Sequence, residues 1–223
     1  MSDPRPPQVL PTHKGPPLLE RFSEADVPTG RGVLHTVVFR EKRNGREHVA
    51  LVVGEVAERE GVPVRVHSEC LTSEVFGSLK CDCREQLDRA LDFVTQNGCG
   101  VVLYLRQEGR GIGLGNKIKA YALQAQGLDT YESNRKLGFP DDLRSYDVAA
   151  EMLRQLGVRS VDLITNNPLK IAGLVEEGMT VRRRIPSRTE HNPHNVDYLR
   201  TKRERTGHLI ELFAEDDTES KVG

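Results

Sequence analysis

Residues 62–105 read VPVRVHSECLTSEVFGSLKCDCREQLDRALDFVTQNGCGVVLYL, and the period of their apolar residues changes twice. Val62, Val64 and Val66 alternate with their neighbours, the pattern of a strand. Leu87, Ala90, Leu91 and Val94 then share one face of a helix that Gly98 closes. GVVLYL at 100–105 is short, apolar and β-branched, which predicts a buried strand. Strand, helix and strand in that order imply a crossover and an α/β chain.

The alternation continues on both sides. A glycine-rich turn, EGRGIGLGN (108–116), leads into a helix NKIKAYALQAQG. SYDVAAEMLRQLG (145–157) predicts a helix with Ser145 as N-cap and Gly157 as its stop. VRSVDLI predicts a strand, and Asn167 with Pro168 opens a helix that Gly178 ends. VRRRIP reads as a short strand, and a second Asn-Pro pair at Asn192 opens a C-terminal helix. Upstream, VLHTVVF (33–39) and HVALVVGEV (48–56) read as strands joined by a hairpin loop with Asn44-Gly45 at its tip. The segment LDTYESNRKLGFPDDLR (128–144) reads as a long irregular loop, a length that usually signals function. The expected fold is therefore α/β (α+β): a mixed sheet flanked by helices, an N-terminal antiparallel β portion and a C-terminal helix. Residues 1–18 are read as a flexible tail, 19–212 as one domain, and the acidic stretch 213–223 as a frayed end.

Lys and Arg total 32 against 33 Asp and Glu, so no global field favours a nucleic-acid partner. No apolar run approaches the ~18 residues needed to cross a bilayer. The N-terminal stretch has no apolar segment of the secretory type, and a cytoplasmic location is expected. In such a setting clustered cysteines point to metal or catalysis rather than disulfides.

Cys70, Cys81 and Cys83 follow a Cys-x10-Cys-x-Cys spacing. Three thiolates leave one position of a tetrahedral zinc open, where water can be acidified to a pKa of ~7. A regular strand would hold Cys81 and Cys83 ~7 Å apart, so a turn just before the helix near Arg84 is expected. Its positive end would favour thiolates. A closed structural site completed by His67 or another ligand, and three buried thiols without metal, are the alternatives. Cys99 is read as a small core thiol.

The glycine-rich turn precedes a helix, a context for binding anions by backbone N–H groups, with Arg110 and Lys117 favouring phosphate. It matches neither the P-loop nor the dinucleotide fingerprint. TNNPLK (165–170) repeats that logic, with Thr165 and Lys170 flanking a helix start. Asp142 and Arg144 have the spacing of an ordinary surface ion pair.

Taken together, VRVHSECLTSEVFGSLKCDCREQL, YLRQEGRGIGLGNKIKAYALQAQG, DTYESN with LGFPDDLR, and LITNNPLK closely resemble GTP cyclohydrolase II, the enzyme that opens riboflavin biosynthesis. The resemblance spans roughly residues 30 to 210 and keeps the family's order and spacing. It implies that Cys70, Cys81 and Cys83 bind zinc. It places Arg65, Val66, His67, Ser68, Glu69, Gln86, Glu108, Gly109, Arg110, Thr130, Thr165 and Lys170 at nucleotide-binding positions. It makes Asp142 the proton acceptor, Arg144 the nucleophile toward the α-phosphate, and Tyr121 a group needed for ring opening. Magnesium with the triphosphate, a homodimer and a monofunctional chain are implied as well. Glu108 would suit guanine, since a carboxylate can accept from N1–H and the exocyclic amino group together. Two other outcomes are open: a relative that stops at the formylamino product, and a zinc-stabilised nucleic-acid module resting on RRR (182–184) and RTKRER (200–205).

Overall fold

The computed structural model describes residues 17–187 together with 200, 207 and 209. Nearly all of the expected tail, the helix after Asn192, the basic run from 201 and the end from 213 lie outside the described residues. Seven strands form one sheet in the order β1-β2-β3-β5-β4-β6-β7. The strands are β1 (Leu19–Thr29), β2 (Gly32–Glu41), β3 (Glu47–Val53), β4 (Val62–Ser68), β5 (Gly100–Leu105), β6 (Ser160–Ile164) and β7 (Thr180–Ile185). The first three pair antiparallel, and β3 meets β5 antiparallel. From β5 onward the pairs are parallel. The mixed sheet and its antiparallel N-terminal portion are as the sequence implied.

Between the strands run α1 (Leu71–Glu74), α2 (Cys83–Gln96), α3 (Leu114–Gln124), α4 (Thr130–Lys136), α5 (Asp147–Gln155) and α6 (Pro168–Glu176). Ala90, Leu91 and Val94 of α2 pack with Val102 and Ile164 on one face of the sheet. Val148, Ala149, Met152 and Leu153 of α5 and Leu174 of α6 cover the other, against Val64, Leu103 and Leu163. Opposite faces follow from direction: β4 to β5 steps one way along the sheet, and β5 to β6 to β7 steps the other. That reversal places a crevice at the carboxyl ends of the parallel strands.

Three local expectations are corrected. β1, LERFSEADVPT, carries no apolar alternation in its sequence; as a solvated edge with only Leu19 buried it needs none, and its charges protect the edge. The segment 128–144 is not wholly irregular. Asp129 caps α4 by accepting from Tyr131 N (2.7 Å) and Glu132 N (2.8 Å), while Glu132 accepts from Asp129 N (3.0 Å). Ser145 is not the cap of α5; the helix starts one residue later, with Tyr146 at the N-cap position. Gly54 ends β3 at φ 64°, where any Cβ would lie 2.3 Å from the carbonyl oxygen of Gly98. Asn167 does cap α6, accepting from Leu169 N at 2.9 Å.

Between β2 and β3, the buried Glu41 carboxylate faces the buried His48, with Nε2 3.4 Å from Oε2. Burial pushes His48 below its ordinary 6.5, only partly offset by Glu41. Burial would raise Glu41, but hydrogen bonds from Asn44, Arg43 and His48 outweigh it and hold the carboxyl below its ordinary 4.5. Both groups are depressed on folding, so the unfolded chain binds more protons in both windows and stability falls as pH drops. Denaturant midpoints should fall as pH drops below 6.5, and further below 4.5. His48→Gln, which keeps a donor toward Glu41, should flatten the upper part of that profile.

Candidate active site

A cavity of about 570 Å³ opens where β4, β5 and β6 end. It is lined by Arg65, His67, Ser68 and Glu69 from β4 and its exit, and by Glu108, Gly109 and Arg110 from the turn after β5. Gln86, Tyr121, Thr130, Arg144, Thr165 and Lys170 complete the wall with the three cysteines. Segments far apart in sequence thus converge on one cavity. Val66 is one exception: its side chain is core, and only its carbonyl takes part, accepting from Lys170 Nζ at 2.6 Å. Asp142 also stands off the cavity wall, behind Arg144.

At one end the Sγ atoms of Cys70, Cys81 and Cys83 lie within 4.8 Å of one another, Cys70 and Cys81 at 3.6 Å. Thiolates on a tetrahedral ion with bonds of ~2.3 Å would stand about 3.8 Å apart, so the set could hold a metal ion. Cys81 lies in the turn before α2, Asp82 at its N-cap position and Cys83 in its first turn, the arrangement required to face one ion. Hydrogen bonds from Cys81 and Cys83, with help from Lys117, hold the Cys70 thiol far below its ordinary range. The two partners are pushed up in turn, so an arriving cation would displace protons from them. His67 is not a fourth ligand here: its Nε2 meets Glu74 Oε1 at 2.7 Å, and it does not join the cysteine cluster.

Lys117 stands at the cysteine end rather than beside Arg65 and Lys170 at the other. Its Nζ donates to Cys70 Sγ (3.1 Å) and Glu108 Oε1 (2.7 Å). Glu108 Oε1 also accepts from Gly109 N (2.9 Å), and Oε2 from Leu71 N (2.8 Å). A carboxylate offers about four acceptor sites. Glu108 therefore has room for one further donor beside these three. Tyr121 lies by the Lys80 and Lys117 ammoniums, 5.2 Å and 5.7 Å from its ring centre. Burial, opposed by Lys117, pushes its phenol up to about 12, so it stays an O–H donor at neutral pH.

At the other end, buried Arg65 donates to Ile164 O at 3.0 Å and to Gln86 Oε1, and its Nε has no partner among the described residues. Gln86 is held in turn against Asp82 Oδ2 at 2.5 Å. Ser68 Oγ is likewise buried without a partner among the described residues. Glu69 accepts from Arg106 at 2.8 Å. A guanidinium solvated by carbonyl and amide oxygens, with its Nε still to be satisfied, is suited to an anion.

Asp142 and Arg144 are no surface pair: their side chains are 24% and 14% exposed. Arg144 donates through Nε (2.9 Å) and Nη2 (2.5 Å) and from its backbone N–H (3.0 Å). Burial would raise Asp142, but these bonds and the Arg144 charge hold it below the usual carboxylate range. Leu143 N donates to Arg110 O at 3.0 Å, and Arg135 forks onto Asp141 at 2.9 Å and 2.7 Å. Arg110 itself sits at φ 59° with its guanidinium 4.7 Å over the Tyr131 ring. The glycine turn, α4 and the 140–144 loop are thereby joined.

Sequence reasoning missed Gln107 and Asn134, both buried and both on the cavity wall. Asn134 was hidden by reading α4 as loop, although the Asp129-x-x-Glu132 capping box was legible. Within RRR (182–184), Arg183 pairs with Asp162 at 2.6 Å and Arg184 donates to Asn166 at 3.1 Å. Among the described residues no helix is long and apolar enough to cross a membrane.

The family model described as GTP cyclohydrolase II matches residues 20–186. The riboflavin biosynthesis protein RibBA of Aquifex aeolicus is 51% identical over 194 residues, 86% of this chain and 48% of that protein. RibBA of Bacillus subtilis is 52% identical over 194 residues, 86% of this chain and 49% of its own. The chain spans about half the length of the curated relatives it matches. Among solved structures, RibBX, a two-domain 3,4-dihydroxy-2-butanone 4-phosphate synthase from A. baumannii, aligns with a TM-score of 0.45 at 22% identity, over 78% of this chain and 41% of that one.

Proposed function

Because the chain belongs to the GTP cyclohydrolase II family, we propose that it hydrolyses GTP to a diamino-phosphoribosylamino-pyrimidinone, formate and pyrophosphate, the first step of riboflavin biosynthesis. The observation that carries this reading is one cavity with a three-cysteine cluster on one side and Arg65, Lys170 and Arg144 on the same wall. Its size of about 570 Å³ suits a nucleotide.

Cys70, Cys81 and Cys83 would hold zinc, which when bound supplies a Lewis acid and acidifies water for attack on the imidazole ring of guanine. The chain's own residues do the rest. Lys117 keeps positive charge beside the thiolates, and Tyr121 offers a proton-bearing hydroxyl to a developing negative charge. Arg65, Lys170 and Thr165 bind the phosphates, with magnesium arriving on the substrate. Thr130 and the turn Glu108–Arg110 border the nucleotide, and Glu108 can accept one hydrogen bond from it. Asp142 is held ionised and weakly basic, so it aims Arg144 rather than deprotonating a guanidinium that stays charged in proteins. Arg144 then stabilises charge on the departing pyrophosphate.

Incubating the chain with GTP, zinc and magnesium should yield formate and pyrophosphate in equal amounts. Pyrophosphate without formate would identify the formylamino product instead. No turnover under these conditions would refute the proposal.

A further inference from the structure

The helix α1 carries a carboxylate, its side chain 8% exposed, that none of the roles above uses. Glu74 Oε1 lies 2.7 Å from His67 Nε2, and its Oε2 accepts from Tyr104 Oη. The His67 and Tyr104 rings stack with centroids 5.7 Å apart. His67 is 2% exposed and lines the cavity, and its Nδ1 is a buried polar atom without a partner among the described residues.

A carboxylate only accepts, so His67 must carry a proton on Nε2. Burial, opposed by the Glu74 contact and aided by the Arg65 and Lys170 charges, pushes this imidazole below its usual range, so it keeps that single proton. Nδ1 is then a bare acceptor. A phosphate oxygen is also an acceptor and cannot satisfy it. We infer that Glu74, steadied by Tyr104, is a positioning residue: it locks His67 with Nδ1 as an acceptor for a donor on the nucleoside part of the substrate, an N–H of the base or a ribose hydroxyl.

This rests on GTP being the substrate. It assigns His67 a contact with the nucleoside, and it gives Glu74 a role through another residue rather than through touch.

The test uses the full zinc-loaded chain. Nitrogen NMR of its histidines should show His67 protonated at Nε2 alone. In Glu74→Gln the amide can donate to Nε2, so the tautomers should mix. KM for GTP should then rise about tenfold, ~1.4 kcal/mol, with kcat within about threefold and zinc content unchanged. His67→Asn, whose amide oxygen can stand near the place of Nδ1, should raise KM less than His67→Phe. Inosine triphosphate, which lacks the exocyclic amino group, and deoxyGTP separate the donors. The analogue lacking the recognised group should show no further penalty from Glu74→Gln; if all three nucleotides are penalised alike, the donor is the ring N–H or the ribose 3′-hydroxyl. Should Glu74→Gln fold poorly, the wild-type tautomer and the Asn–Phe comparison at position 67 still decide. A proton on Nδ1 in the wild-type chain overturns the inference, as does an unmoved KM for GTP in both Glu74→Gln and His67→Phe. A wild-type chain that does not turn over GTP overturns the proposed function, and the inference with it.

Discussion

Cys81→Ser is expected to reduce bound zinc to background and to lower formate release by at least about a thousandfold. The size follows from what the serine loses. A neutral hydroxyl replaces a soft thiolate, and two cysteines with Lys117 nearby cannot hold a dication against competition from solvent. Cys81 sits 3.6 Å from Cys70 and is buried, so no other side chain of the cluster can swing in to replace it. Metal analysis of the purified variant, beside a formate assay, checks this. Retention of both full zinc and full formate release would remove the basis for an open catalytic site. Circular dichroism should remain near that of the parent, because neither core cluster includes the cysteine cluster.

Arg144→Ala should cut kcat/KM for pyrophosphate release by roughly a thousandfold, in line with removing a preorganised charge at a developing anion. Zinc content should be unchanged, since Arg144 is not among the cysteine cluster's residues. The partner variant discriminates the two roles open to Asp142. If Asp142 removes a proton, Asp142→Asn should be as damaging as Arg144→Ala. If it aims the guanidinium, Asn can still accept from Arg144 and the loss should stay within about thirtyfold, the scale of weakening one charge-assisted pair. The depressed Asp142 carboxyl favours the second result. Separate measurements of formate and pyrophosphate in these variants will also show whether one half-reaction runs without the other.

The sheet was legible wherever a strand is buried on alternate or both faces. β5 is legible to the residue because its side chains are apolar and nearly all enclosed, and β6 to within two residues at its start because it is enclosed on both faces. β1 was not, because a solvated edge leaves no hydrophobic period to read. α4 carried its start signal in a capping box but little apolar stripe, and the loop-like composition around it prevailed. At the site, cysteine spacing alone anticipated the turn before α2. The partners of long side chains were not anticipated. Lys117 and Glu108 lie nine residues apart, and nothing in their types says that they will satisfy each other beside a thiolate. Buried charges choose partners by geometry after the backbone is placed, and a linear reading has no access to that choice.

Arg110 shows two demands meeting at one position. Its backbone is left-handed, a conformation that costs a non-glycine residue roughly 1–2 kcal/mol. Glycines stand on both sides of it, and stability alone would place a third there. The chain instead keeps a guanidinium over Tyr131 and gives its carbonyl to the Arg144 loop. Position 110 is thus one where engineering for robustness and engineering for turnover would choose different residues. A screen scored on heat resistance alone would tend to erode the anion end of the cavity from this point.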